Sequence, residues 1–265
     1  MNLDVIRAVA DAATEVDGAA PLDEATWLSL RAGDEGWGGV VAGSGFALTR
    51  GEAVHLVVHP DARDRGLATS WLEDIEGPAQ AWSHGDHPAA AALARRFDFS
   101  RVRDLWVMRR PMNEPLPPVP DTVIRAWTPA DTDELLRVNA EAFADHPEQG
   151  AMDEANLAAR MGEPWFDPAG LLVALDGERM LGFHWTKQHS AELGEVYVVG
   201  IDPVAQGRGL GRALTLAGLH HLAGLGVAEV LLYVEADNHA ARATYARLGF
   251  THADADTHVM YRRDA

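Results

Sequence analysis

One pattern occurs twice in this chain. Gly51 to Ala68 reads GEAVHLVVHPDARDRGLA, and Gly194 to Gly211 reads GEVYVVGIDPVAQGRGLG. The two align without a gap: Glu52 falls on Glu195, Pro60 on Pro203, and Arg65-Gly66-Leu67 on Arg208-Gly209-Leu210. Each opens with a short apolar run bounded by glycine and a proline step, which reads as a buried strand. A glycine-bearing loop follows. In the second copy Leu210, Leu214, Leu216 and Leu219 then fall at roughly helical spacing. Arg96 to Phe99 matches Arg247 to Phe250 at a longer offset, with the extra residues in loops. An internal repeat of this kind means that the fold is built from two copies of one unit.

Strand, glycine-rich loop and helix is an arrangement that binds phosphate. Glycine lets the backbone approach an anion, and the free amides of the helix start point at it. Arg208 and Arg212 add charge. Three nucleotide readings compete. A P-loop places Lys and then Ser or Thr after its last glycine, where this chain has Arg212-Ala213. A dinucleotide fold needs a third glycine where Arg212 stands, although Glu235 does end a plausible second strand. The third reading fits residue by residue. Gln206-Gly207-Arg208-Gly209-Leu210-Gly211 matches Q/R-x-x-G-x-G/A and resembles the acyl-CoA pyrophosphate loop of the GNAT acetyltransferase family. Downstream, the strand Val230 to Val234 leads into a helix carrying Ala240, Ala241, Tyr245 and Leu248. Asn238 reads as its N-cap and Gly249 as its C-cap. This V-x-x-x-N-x-x-A-x-x-x-Y-x-x-L-G-F pattern is similar to the last strand-helix unit of GNAT enzymes.

The chain has 265 residues, enough for two ordinary domains, and 47% are hydrophobic, as in a globular protein with a core. Its formal charge of −18 disfavours nucleic acid and anionic membranes, which call for basic patches. There is no cysteine, which excludes disulfides, thiolate nucleophiles and Cys-metal sites. The opening MNLDVIRAVADAATEV carries acids and no apolar core, so no signal peptide is read there. No apolar run approaches the roughly 20 residues of a membrane span. The expectation is a cytoplasmic protein without a metal: His220 and His221 are adjacent on a helix and cannot face one ion, and His84 and His87 have only Asp86 as a further ligand type between them, too little for a site. His184, beside Trp185, reads as a core or pocket residue.

Taken in order, Met1 to Val16 is helical in pattern, with Val5, Ala8, Val9 and Ala12 on one face. A short helix through Leu28 and Leu30 and strands at Val40-Val41 and Phe46 to Leu48 lead to the first copy. Five prolines from Pro111 to Pro120 read as a stiff connector. The expected fold is α/β (α+β, mixed sheet), two tandem GNAT domains: residues 1–112, a linker 113–121, and a catalytic domain 122–265. In the latter, strand Ile124 to Trp127 precedes a helix from Asp131 to Phe143. A hairpin through Asp176-Gly177 then leads to the central strand.

The whole chain further resembles the actinobacterial mycothiol synthase family. The residues that carry this are His146-Pro147-Glu148-Gln149-Gly150, Glu163 to Pro168, Gly182-Phe183-His184-Trp185-Thr186-Lys187 and Gly194 to Gly200. The resemblance implies acetyl transfer from acetyl-CoA to the cysteinyl amine of cysteinyl-glucosaminyl-inositol, a small-molecule substrate, by a monomer. It implies Glu195 as base and Tyr245 as the acid for the departing thiolate. Acetyl-CoA would meet Val199, Gly200 and Ile201, the loop Gln206 to Arg212 (Gly207, Arg208, Gly209, Leu210 and Gly211 between), and Asn238, His239, Ala240, Ala241, Arg242 and Ala243. In the first copy it would meet Leu56, Val57, Val58, Arg63, Asp64, Arg65, Gly66, Leu67 and Ala68. There Asp64 replaces a glycine, Ala94 stands opposite Tyr245 and Asp98 opposite Gly249, so that half is expected to bind without turnover. The acceptor would meet Glu24, Glu148, Lys187, Glu195 and Tyr233. Two alternatives stay open: acetylation of another small-molecule or peptide amine on the same fold, and a non-catalytic acetyl-CoA sensor.

Overall fold

The structure, a computed structural model, describes residues 1–144, 149–150 and 152–265. It divides into two compact units, one of Met1–Trp106 with Ala253–Ala265 and one of Val107–His252. In the first unit α1 (Leu3–Asp17) and α2 (Glu24–Ala32) precede β1 (Gly38–Ala42), β2 (Gly45–Arg50) and β3 (Ala53–Val58). Then come α3 (Leu67–Glu73), β4 (Ala79–Ser83), α4 (Pro88–Arg96) and β5 (Ser100–Pro111), whose end belongs to the second unit. That unit continues with β6 (Ile124–Ala126), α5 (Thr132–Ala142), α6 (Glu154–Met161), β7 (Leu171–Asp176), β8 (Arg179–Gln188) and β9 (Leu193–Ile201). It closes with α7 (Leu210–Gly224), β10 (Glu229–Glu235) and α8 (His239–Arg247); β11 (Thr251–Arg263) starts there and ends in the first unit. No helix among the described residues is long and apolar enough to cross a membrane.

Both units are mixed α/β. In the first, β1, β2 and β3 are antiparallel neighbours, β4 runs parallel to β3, and Val259–Arg263 of β11 pairs antiparallel with β4. In the second, β6 to β9 form an antiparallel run and β10 joins β9 in parallel. The repeat read from the sequence is thus a structural repeat: β3, loop, α3, β4 in one unit and β9, loop, α7, β10 in the other.

The face of α1 differs from expectation. Ile6, Val9, Ala10 and Ala13 are buried, while Val5 and Ala12 are half-buried and Ala8 is exposed. The buried set is the i, i+3, i+4, i+7 stripe that starts one residue later, because it places the large Ile6 side chain under Phe46 and Leu48.

In the second unit β8 separates two packing layers. Phe183 and Trp185 face Leu135 and Val138 of α5. His184 points the other way, into α7, where its Nδ1–H donates to the Leu214 carbonyl at 2.8 Å. Gly218 makes room for this ring, since a Cβ there would collide with it. Burial disfavours the imidazolium and pushes the His184 pKa down to about 4. It is therefore a core residue, one of the two roles its sequence position allowed.

Asp202, at the end of β9, is fully buried. It accepts from the Val204 amide at 3.0 Å and pairs with Arg137 and Arg179, each at 3.0 Å. Desolvation raises its pKa, but the Val204 amide and the two guanidinium groups outweigh this and hold the carboxylate below its ordinary range. The interaction clamps the point where the central strand turns into the glycine loop.

Two stability measurements follow from these buried groups. Asp202→Asn should cost about 2 kcal/mol, because it removes the charge that two part-exposed guanidinium groups and the Val204 amide share. Asp202 has a depressed folded pKa, so its contribution is full above about pH 4 and fades as pH falls through the folded value. Urea melts of the parent should show that acid loss, and the Asp202→Asn substitution should remove it. For His184 the unfolded chain takes up a proton that the native state refuses between pH 6.5 and about 4. Parent stability should fall across that window by up to about 1.4 kcal/mol per pH unit more than that of His184→Gln. Equal slopes would show that His184 protonates within the fold.

Candidate active site

The site is built where β9 stops pairing. On one edge β9 stays bonded to β8, with Val199 opposite His184, Gly200 opposite Phe183 and Ile201 opposite Gly182. On the other edge the parallel pairing with β10 ends at Val196 and Leu232. The cause lies one residue on. Trp185 pairs with Val198 but Thr186 with Val196, so Tyr197 is a bulge residue that twists β9 away from its neighbour. Val199, Gly200 and Ile201 therefore lie on a strand edge that opens toward β10, where the sequence placed the pantetheine contacts. Gly200 is required because a Cβ would meet the Phe183 ring at 2.5 Å.

Beyond β9 comes the glycine loop. Gly207 (φ 74°) and Gly209 (φ 79°) take left-handed backbone conformations, which bend the chain straight into α7. Gly209 caps this 15-residue helix without a side-chain hydrogen bond, so its first amides are not capped by the chain itself. Gln206 to Gly209 and Arg212 are exposed, whereas Leu210 turns inward and anchors the helix. Exposed amides at a helix start, with two arginines beside them, fit a diphosphate.

Glu195 lies just before the parting of the strands. It is 5% exposed, and its Oε2 is 2.6 Å from Nε2 of His189. Lys187 is its cross-strand partner in the β8–β9 register. The Lys187 ammonium sits 4.5 Å from the Trp165 ring centre and 5.1 Å from that of Tyr197. These rings pack with Trp185 and Phe166 into one aromatic cluster beside the Lys187 ammonium. Of the expected acceptor residues, the structure thus brings Glu195 and Lys187 together. Tyr233, on β10, is 44% exposed. Glu148 lies outside the described residues. Its neighbour Gln149 is fixed by buried Asn139, which donates to the Gln149 carbonyl at 2.8 Å. Glu24 lies in the first turn of α2, in the first unit.

Tyr245 sits on α8 with its ring edge-on to Phe250. Desolvation pushes its phenol up to about 12, so it keeps its proton. The caps expected for this helix are present. Asn238 accepts from the Ala241 amide at 3.1 Å, and Gly249 (φ 88°) follows Leu248 to end the helix. Arg242 reaches back to the Ala236 carbonyl, so α8 and the strand before it are tied at the end nearest His239 and Ala240.

In the first unit the loop keeps the conformation of its counterpart. Asp64 (φ 61°) stands where the second copy has Gly207, and Gly66 (φ 80°) where it has Gly209. Every first-copy contact named from the sequence except Arg65 lines a cavity of about 550 Å³ between β3, β4, α3 and α4. Arg63 is held by Asp17 in a bidentate pair of 2.7 and 2.6 Å. Ala94, at the place of Tyr245, is part of the cavity wall.

Sequence reasoning missed His189, Trp165 and Tyr197. The polar turn Ser190-Ala191-Glu192 between two apolar runs was the available signal that His189 folds back toward Glu195.

Residues 132–250 match the model of the acetyltransferase (GNAT) family. Among solved structures, a tandem GNAT protein from the clavulanic acid biosynthesis pathway is similar with a TM-score of 0.70 at 20% identity, over 98% of this chain and 93% of that one. A GCN5-related N-acetyltransferase from Sphaerobacter thermophilus gives 0.67 at 23% identity, over 98% and 91%. These establish the fold. A mycothiol acetyltransferase of a Nocardioides species is 60% identical over 98% of this chain and 97% of its own length. One from Salinispora tropica is 49% identical over 97% and 92%. Identity at that level along nearly the whole of both chains makes this protein a member of the mycothiol acetyltransferase family, a group of acetyl-CoA-dependent GNAT enzymes.

Proposed function

We propose that the second unit transfers acetyl from acetyl-CoA to the cysteinyl amine of cysteinyl-glucosaminyl-inositol, the step that yields mycothiol. The observation that carries this reading is the buried Glu195 carboxylate just before the parting of β9 and β10, on the strand that ends at the glycine loop. Acetyl-CoA supplies an already activated thioester, so direct attack by an amine needs no enzyme nucleophile. An ammonium cannot attack, and Glu195 is the group to take its proton. Tyr245, protonated throughout the physiological range, is the group to return one to the departing thiolate. The β9 edge from Val199 to Ile201, the loop Gln206 to Arg212 and the α8 start from Asn238 to Ala243 would hold the donor. Alignment of the two reactants supplies much of the acceleration.

On the acceptor side, Lys187, Glu195 and Tyr233 suit a polyhydroxylated ligand with an ammonium group; Glu24 and Glu148 join them on the resemblance alone. The first unit is read as holding a second acetyl-CoA without turnover, supported by its cavity and by Ala94 in place of a phenol. The charge of −18 supports a small-molecule partner rather than nucleic acid. A cytoplasmic, monomeric enzyme belongs to the same proposal.

Release of CoA should be fast with the cysteinyl pseudodisaccharide and slow with cysteine, glucosamine or peptides. Activity on another amine alone would sink the acceptor claim and leave the chemistry. Glu195→Gln should lower kcat by about 10²-fold or more. Tyr245→Phe should lower the rate by a similar factor from about pH 6 to about pH 10, since the phenol does not titrate there. A parent-like Tyr245→Phe would remove the acid role. Titration calorimetry should find two acetyl-CoA sites in the parent and one in Gly209→Val, whose branched side chain cannot adopt the left-handed loop conformation. One site in the parent, lost in Gly209→Val, would leave the first unit empty-handed.

A further inference from the structure

We propose that His189 is a positioning residue for the acetyl transfer: it fixes the Glu195 carboxylate and relays to solvent the proton that Glu195 takes from the acceptor amine. The inference rests on the reading of Glu195 as the base, and it adds a group that this reading did not contain.

Burial creates the need. The Glu195 side chain is 7% exposed and gains a proton in every turnover, which it must lose before the next. His189 is 34% exposed and its Nε2 stands 2.6 Å from Oε2 of Glu195, so it touches the carboxylate with one nitrogen and reaches solvent with the rest of the ring. A contact this short is a strong charge-assisted hydrogen bond and selects one carboxylate orientation. The ring is placed by a tight β8–β9 connection. The His189 amide donates to the Leu193 carbonyl at 2.9 Å, and Ser190 Oγ accepts from the amides of Leu193 at 3.1 Å and Glu192 at 3.2 Å. Gln188 pairs with Gly194, so the two strands are in register up to the turn.

Among the described residues, the charged groups on the elements beside Glu195 have other partners. Lys187, opposite it on β8, holds its ammonium against Trp165 and Tyr197. On β10 its register partner is Leu231, and Glu229, two residues before, pairs with Arg109 at 2.8 Å. Glu192 is at the outer end of the turn.

The protons balance as follows. The acceptor ammonium gives one proton to Glu195, and the freed nitrogen forms the bond to the acetyl carbon as the carbon–sulfur bond breaks. The sulfur takes a proton from Tyr245, and the second proton that the nitrogen sheds as the amide forms returns to the Tyr245 oxygen, so that one proton per turnover is left on Glu195. At rest Nε2–H donates to the carboxylate; once Glu195 is protonated the part-exposed ring turns over, takes that proton on its bare Nδ1 and gives the Nε2 proton to water, which leaves Nδ1–H on the restored carboxylate until the next turn of the ring.

The test compares the parent, His189→Asn, His189→Gly and Glu195→Gln for kcat, KM and solvent isotope effect, with acetyl-CoA binding measured on each as the control for an intact fold. His189→Asn should lose about 10²-fold in kcat with little change in KM, the low end of what a positioned proton-transfer group contributes. Its solvent isotope effect on kcat should exceed the parent's, because release of the Glu195 proton has become slow. Free imidazole should restore part of the rate of His189→Gly, which a merely structural role would not allow. A His189→Asn variant with parent-like kcat and an unchanged solvent isotope effect, beside an inactive Glu195→Gln, overturns the relay alone. A fully active Glu195→Gln overturns the base assignment and the relay together.

Discussion

Two parallel strands that pair for only part of their length govern what this protein can do. β9 and β10 are joined through Val196 and Leu232 and then separate. A strand edge left without a neighbour must find other hydrogen-bond partners, because backbone amides and carbonyls are costly to leave unsatisfied. A ligand with peptide-like groups is a natural partner for such an edge, and the pantetheine arm of the proposed donor has them. The bulge at Tyr197 opens the wedge, Gly200 leaves room for the Phe183 ring that packs against α5, and the Asp202 cluster fixes the turn at the far end.

The first unit repeats this design with Ala94 in place of the phenol. β3 and β4 pair only at Ala53 and Gln80, and a cavity lies where they part. Aspartate at positions 64 and 98 adopts the left-handed backbone (φ 61° and 59°) that glycine occupies in the second copy. Such a conformation is uncommon outside glycine, and Asp tolerates it better than most. The backbone shape has therefore outlasted the residues best suited to it. What has gone is the phenol, replaced by Ala94, and the availability of Arg63, which is paired to Asp17.

The proton inventory of the second unit is equally divided by burial. His184 is neutral because its surroundings exclude the charged form, and it serves packing. Tyr245 is kept protonated by the same desolvation, which suits an acid. His189, half in solvent, is the histidine placed to exchange protons with the buried carboxylate. Exposure, not residue type, separates these roles.

The sequence alone determined the repeat, the strand-loop-helix unit, the glycine loop and the caps of α8, because each is encoded by residues close together: glycines that permit left-handed turns, Asn238 at a helix start, β-branched runs in strands. It also singled out Glu195, Lys187 and Tyr245. It left the face of α1 one residue out of phase, since two apolar stripes overlap there and only the position of Phe46 and Leu48 selects one. Tertiary structure alone decided that β11 completes the sheet of the first unit, that Tyr197 is a bulge residue, and that His189 reaches Glu195. These depend on strand register, which sums weak preferences over a whole sheet and leaves no local mark in the chain.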